Sequence, residues 1–515
     1  MPLEQIRSFV GTWGHEWYKP TKGRYDLFPP QVFPYGTAMT KKPSFLLIAA
    51  AAFMMTGCPG DDGGAPVVSS GGAVVYLADQ DTVGVFELFL ATSGTKLNPP
   101  LPPGRTVQSF ALTPDSTAVV YIADQDQDEV FELYRVSLSS PGVSIKLNGP
   151  LVLCGPAVCG DVIEFAITPD NSAVVYIADQ TIDSVFELYR TVLATTANSK
   201  LNPPFSAGQN IDAFVILQNS TGVIYRANQN TAGVNELYRV LFTTAPTTDR
   251  LITSPPLIAG QNVGTFTPTP DSANVVYIAN RPVALNLFIV PAGGGGDIQL
   301  NSVSPPNSNA NVADFAVAPD SLSVVFLADQ DTDQVNELYR TVISAAPGNI
   351  KLNGPLAFGK NVTSFGVIPD GSGVVYVADQ TTVNVFELFR TLFSGGNSQV
   401  NPPFLGTEDV ADFVLLPNGS GVVYKADQNT DGVNEIYRAV FGFPGATRLN
   451  PPLLIGQNVS TYTVSPDSAS AIYLANQDNV AITELYRVAF SSPGTSTKLN
   501  TPLVAGQNVT DFAVR

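Results

Sequence analysis

The side chains best suited to chemistry in this sequence are oxygen-bearing residues gathered in one recurring stretch, clearest at Asp427-Gln-Asn429-Thr-Asp431-Gly432-Val433-Asn434-Glu435. Counting Asp427 as the first position, acids and an amide fall at positions 1, 3, 5 and 9, with glycine at 6. Alternating short oxygen ligands, a glycine for the sharp turn, a backbone carbonyl at position 7 and a later carboxylate together wrap a hard cation such as calcium. Two further copies keep the ligands and lack the glycine: Asp124, Asp126, Asp128 and Glu132, and Asp329, Asp331, Asp333 and Glu337. Weaker copies hold Asp79, Asp81 and Glu87, and Asp179, Asp183 and Glu187, whereas the copy at 280–286 is two residues shorter and has lost the acids.

The same residues admit a plainer reading. The leading aspartate suits a turn cap, and the glutamate can pair with the arginine three residues on, as at Glu132 and Arg135 or Glu337 and Arg340. Glutamate also precedes Leu-Tyr or its equivalent in eight of nine copies, including those without the other acids, which is how a strand residue behaves. Both readings stand at this stage.

Other chemistries are poorly supplied. The single histidine, His15, and both tryptophans, Trp13 and Trp17, precede residue 39, so the rest of the chain has no imidazole for a Ser-His or Cys-His mechanism or for a zinc site. Carboxylate pairs of the glycosidase kind are not excluded by sequence, because acids are plentiful. Cys154 and Cys159 enclose Gly-Pro-Ala-Val, a spacing that suits a local disulfide in an oxidising compartment better than a redox pair.

The elements that position these residues repeat along the chain. An aromatic strand, Pro-Asp, a strand such as Val-Val-Tyr-Ile-Ala-Asp-Gln, then Glu-Leu-Tyr-Arg and Lys-Leu-Asn recur from residue 72 onward. The aromatic of the second strand falls at Tyr76, Tyr121, Tyr176, Tyr225, Tyr277, Phe326, Tyr376, Tyr424 and Tyr473, at intervals of 45 to 55 residues. A period near 50 with several short β-type segments per unit predicts propeller blades, and no 3.6-residue pattern competes. Pro114-Asp115-Ser116 and its copies supply a tight turn between the first two strands. The array opens on a second strand at Ala73-Val-Val-Tyr76 and closes on a first strand at Val509-Thr-Asp-Phe512. The expectation is an all-β fold over 73–515, a β-propeller of nine four-stranded repeats in one ring, closed by the C-terminal strand pairing into the first blade.

These blades resemble the TolB-type propeller repeat, with its similar strand, Ser-Pro-Asp turn and paired outer strands. The resemblance implies a fold and leaves the function open, because such blades serve in translocation proteins, peptidase caps and lipoproteins. The Asp427 stretch is similar to the calcium loops of integrin-α-type propellers, departing from them in Glu435, where that family has aspartate. Near the start, Met39-Thr-Lys41-Lys42 and the apolar run 45–55 form a short signal-peptide pattern, and Met55-Thr56-Gly57-Cys58 resembles a bacterial lipobox with Cys58 as the lipidated residue. Met55 departs from the usual leucine. Residues 1–38 then read as an extension ahead of the true start, 39–57 as a lipoprotein signal peptide and 58–72 as a Gly/Pro/Ser-rich tether.

Removing six basic and three acidic residues with that leader leaves 20 basic against 41 acidic side chains, about −21, which argues against a nucleic-acid partner. The resulting expectation is a lipid-anchored propeller of the bacterial cell envelope, in the outer membrane and periplasmic or surface facing. It presents an acidic face to an envelope protein or peptide, is calcium-stabilised, and touches the membrane through its lipid alone. The monotony of the repeats points to a scaffold and not an enzyme, since a catalytic site makes one blade different. The alternatives are a carboxylate-based lyase or glycosidase and a structural envelope protein.

Overall fold

The structure, a computed structural model, describes residues 72–515 apart from 155–156, 244–249, 282–283, 302–309 and 344–347. Contacts divide the chain into Met1–Met55 and Thr56–Arg515, and the fold described belongs to the second unit. The signal peptide, Cys58 and the tether lie outside the described residues.

Nine four-stranded antiparallel sheets follow one another as blades of a propeller, with a separate two-stranded hairpin inserted between the second and third. In the second blade the strands are Val107–Leu112, Ala118–Ala123, Glu132–Ser137 and Ser144–Lys146, paired in chain order. The second strand, Ala-Val-Val-Tyr-Ile-Ala, is buried along its whole length. A continuous apolar run is what a strand needs when both faces are covered, and here the neighbouring blades cover them. The third strand, Glu-Leu-Tyr-Arg-Val-Ser, is nearly as enclosed, while the fourth is short and exposed. In each blade the ruler aromatic stacks on its partner in the third strand, as Tyr121 does on Tyr134 and Tyr424 on Tyr437, with ring centroids 5.5 Å apart. Such pairs contribute about 0.5–1.5 kcal/mol each beyond simple burial.

First strands of neighbouring blades touch, for example Val312–Val317 against Val362–Val367 and Val410–Leu415 against Val459–Val464. They therefore form the wall of the central channel. Each carries a register shift after its leading Val or Ile, as between Val107 and Ser109, a bulge that adds local twist.

Blades are locked to one another by two repeated devices. At the turn between first and second strands, Ser220, Ser272, Ser321 and Ser468 adopt positive φ, and their hydroxyls accept the backbone N–H of Asp170, Asn219, Asp271 and Asn418 in the preceding blade. Near the outer strands, the arginine of Glu-Leu-Tyr-Arg lies over a phenylalanine of the next blade: Arg340 over Phe393 at 4.1 Å and Arg390 over Phe441 at 4.3 Å. The expected pairing of that arginine with its own glutamate is thus replaced by stacking across the blade boundary.

The ring closes as the sequence predicts. Val509–Val514 pairs with Val74–Ala78, setting Val74 opposite Val514 and Tyr76 opposite Phe512. The first blade is completed by the Arg515 N–H donating to Ala73 O at 3.0 Å and the Asn508 N–H donating to Asp79 Oδ1 at 2.6 Å.

Candidate functional site

Each loop between second and third strands is built on its leading residue, an aspartate in six blades and Asn228, Asn280 or Asn476 in the other three. In the Asp427 loop, Oδ2 accepts the Gly432 N–H at 3.0 Å and Oδ1 accepts the Asp409 N–H, from the link between blades, at 2.7 Å. Asp124 likewise takes the N–H groups of Glu129 and Thr106, and Asp79 takes those of Gly84 and Asn508. This bond ties the loop to the incoming link, so loops and links occupy the same face of the ring. The sixth position is left-handed in these turns, at φ 74° for Gly432, 57° for Glu129 and 63° for Gln334. The glycine serves that backbone conformation, and Glu129 and Gln334 adopt it without a glycine.

The ninth-position glutamates are buried and heavily bonded. Glu337 is 3% exposed and accepts the Tyr339 hydroxyl at 3.0 Å and the Lys351 ammonium at 2.7 Å. Lys351 also meets Asp331 at 2.7 Å, so one ammonium bridges the third and ninth positions of its loop. The same bridge recurs from Lys96 to Asp81 and Glu87, from Lys146 to Asp126 and Glu132, and from Lys498 to Asp478 and Glu484. Burial alone would lower the Lys351 pKa, yet Asp331 and Glu337 together carry it above the ordinary lysine value. Where the glutamate becomes Asn286, the lysine becomes Gln299, and the two amides bond to each other at 3.2 Å. In the Asp427 loop, Glu435 takes the Leu453 N–H, the Asn429 amide and the Tyr437 hydroxyl, with Arg448 at 3.4 Å.

These arrangements bear on the metal fit. Asp427, Asp329 and Asp124 are spent on backbone donors, Asp331, Glu337, Asp126 and Glu132 hold a lysine, and Asn429 is bonded to Glu435. The fifth-position Asp128, Asp333 and Asp431 stand at exposed loop tips. Among the described residues no group of three or more His, Cys, Asp or Glu side chains could hold a metal ion. The residues expected to ligate calcium do not fit it as they stand: a lysine ammonium lies between the carboxylates of the Asp124 and Asp329 loops, and in the Asp427 loop Asn429 and Arg448 occupy Glu435. Sequence reading missed those lysines. Their signal was the Lys of Lys-Leu-Asn, present in every loop whose third position is acidic.

Cys159 is disulfide-bonded and donates its N–H to Val152 O at 3.1 Å. It closes the hairpin of Leu153–Cys154 and Ala157–Val158, in which Cys154 is opposite Ala157; the Cys154 side chain lies outside the described residues. Gly160 packs against Asp179, which puts the hairpin on the link face.

A second acidic set, also missed, lines the channel from the first strands: Glu164, Asp212, Asp314, Asp412 and Asp511. Asp212 pairs with Arg226 at 2.7 Å and Asp412 with Lys425 at 2.9 Å. Glu164, Asp314 and Asp511 are exposed to solvent on the channel wall, with the neighbouring first strands around them. Burial raises the pKa of Asp314 and Asp511, and burial together with the Asp212 charge raises Glu164 to about 7, with Arg226 opposing.

No family model and no curated protein matches the sequence. Among solved structures the chain is similar to a eukaryotic initiation factor (TM-score 0.54, 11% identity, 85% of this chain and 98% of that one). It is similar to dipeptidyl peptidase 4 of Porphyromonas gingivalis (0.48, 12%, 66% and 53%) and to an oligogalacturonate lyase in complex with manganese (0.41, 14%, 81% and 98%). The chain spans about half the length of that peptidase and, at 55%, of a prolyl endopeptidase it also matches. At these identities the likeness shows the propeller fold alone. The expectation that the chain is not an enzyme is corrected: a lyase and peptidases are among the solved structures to which it is similar, and a fold does not fix a function.

Proposed function

We propose that the protein is a lipid-anchored propeller of the bacterial envelope, held through Cys58, that binds a cationic protein or peptide on its link face. The observation that carries this reading is the distribution of acids left over once internal pairs are made. Asp128, Glu129, Asp183, Asp333, Glu408 and Asp431 stand on that face and form no ion pair among the described residues. A rigid ring with locked blades holds such loops in fixed relation, which lowers the ordering cost of binding. A cross-link between Cys154 and Cys159 would hold the inserted hairpin on the same face. The test is capture from envelope extract on the immobilised domain. A saturable partner that is released by salt, and lost when these six acids become amides, is expected; no saturable partner would sink the reading.

A second reading is favoured by Glu164. A channel carboxyl with its pKa near 7, beside the Asp212 and Arg226 pair, is poised to exchange protons at neutral pH. Turnover of an acidic polysaccharide or a peptide that disappears in Glu164→Gln, with a melt no lower than the parent's, would place the function in the channel. Equal turnover in that variant would remove Glu164 from it.

A further inference from the structure

Several links between blades share one tight turn, in which the residue before the Gln-Asn, Lys-Asn or Arg-Thr pair is a glycine at φ near 90°: Gly104, Gly208, Gly260, Gly359, Gly456 and Gly506. The glycine fixes the turn, and the two residues before it form the tip and point to solvent. The tip is Pro102-Pro103 in one link and Ser206-Ala207 in another, both compatible with the fold. Nothing in the turn therefore requires an apolar tip.

Yet along consecutive links the tips are large and apolar. Phe358 is 79% exposed, Leu405, in a variant of the turn, 96%, Leu454 71%, Ile455 86% and Val504 63%. Neighbouring loop tips extend the same surface: Gly456 approaches Val480, itself 61% exposed, and Gly506 approaches Val83, 59% exposed. These tips run from the link entering the seventh blade to the link re-entering the first, an arc across one sector of the link face. Scattered single hydrophobics need no explanation, but large exposed apolar tips on four consecutive links of one face, where another link carries Ser206-Ala207, do.

We infer that this arc is a docking surface for an extended segment of a partner protein that alternates basic and apolar side chains. The inference rests on the binding reading above and names the sector and the chemistry. Asp333, Glu408 and Asp431 stand in the same sector and form no ion pair with a basic side chain among the described residues, which supplies the complement for the basic positions. The same acids oppose a second copy of the chain, because two such faces would meet with like charge. They also oppose an anionic lipid surface. The described chain enters the first blade at Val74, the start of a second strand, on the face of the ring opposite the arc.

The test compares two fluorescent probes, a peptide of alternating lysine and leucine and an oligolysine of equal charge. Its variant combines Phe358→Ser, Leu405→Ser, Leu454→Ser, Ile455→Ser and Val504→Ser, with the melt checked against the parent. The parent should bind the lysine–leucine peptide at least about tenfold more tightly than oligolysine, and the variant should lose that preference while keeping its oligolysine affinity. An unchanged preference in the variant would overturn the docking surface. So would apolar-dependent self-association in sedimentation, or preferential capture of the parent by phosphatidylcholine or phosphatidylglycerol vesicles. If the parent binds both peptides equally, this inference falls and the cationic-partner reading stands; if it binds neither, both fall.

Discussion

A buried carboxylate is tolerated when its charge is met, and in the sixth blade Glu337 meets it with Lys351, 14 residues downstream. Lys351→Met should cost about 2–3 kcal/mol, because Glu337 would be left charged and unpaired beneath the loop. Asp331→Asn removes the half-exposed partner and should cost no more than about 0.5 kcal/mol. Denaturant melts of the two variants measure the contrast, and equal losses would mean that the bridge works as a unit. Millimolar calcium should leave the parent melt where it is. A saturable upward shift, absent from an Asp427→Ala, Asp431→Ala double variant, would reinstate the metal. The acids themselves were legible in the sequence, and their partner was not. Asp331 and Glu337 meet Lys351 because strand register sets Tyr339 opposite it, and register is not a property of neighbouring residues in the chain. The channel acid behaves differently. Its folded pKa of about 7 is above the ordinary glutamate value, so the folded state binds the proton more tightly and stability falls as pH rises from about 4.5 to 7. Glu164→Gln should therefore stabilise the ring at pH 8, by about 1 kcal/mol once screening by channel water is allowed for, and have little effect at pH 4. A stabilisation that is equal at both values would show that charge is not the cause.

The loop as an element shows one spacing that can serve two tasks. Oxygen, glycine and a later carboxylate satisfy a cation loop, but they equally satisfy a turn whose first residue caps the sixth N–H and whose sixth residue is left-handed. The structure holds Gln334 in that conformation at φ 63°. Gln334→Gly relieves about 1–2 kcal/mol of left-handed strain against the added freedom of glycine when unfolded, and should gain about 0.5 kcal/mol. Gly432→Ala, at φ 74°, should lose about 1 kcal/mol. Opposite signs in chemical denaturation would confirm a backbone role, whereas a loss in both would point to side-chain contacts of Gln334. Strand content, turn residues and the Pro-Asp-Ser link were legible because each rests on local preferences. The hydroxyl of Ser272 accepting from the blade before it was not, since that bond joins residues 53 apart in the chain.

At the scale of the whole molecule, ring closure was legible from the phase of the repeat, which opens on a second strand and ends on a first. Removing residues 509–515 leaves Val74–Ala78 as an open apolar edge and strips the inner strand from one blade. The shortened chain should melt many degrees lower and associate through that edge in sedimentation. A monomer with an unchanged melt would mean that the eight intact blades hold the ring without a latch. Placement of charge around the ring was not legible, because which acids remain unpaired depends on contacts between strands and between blades.

The latch also sets a clock. The bond from Asn508 to Asp79 spans 429 residues, and a ribosome adding about 5–20 residues per second needs on the order of tens of seconds to make that stretch. Until then the earliest blade lacks its innermost strand, and the ring has no circumference to close. Contacts so distant in sequence form slowly in any case. On the export route proposed above, a polypeptide threaded through a narrow pore must travel unfolded, and a fold that waits for its closing strand would suit that route.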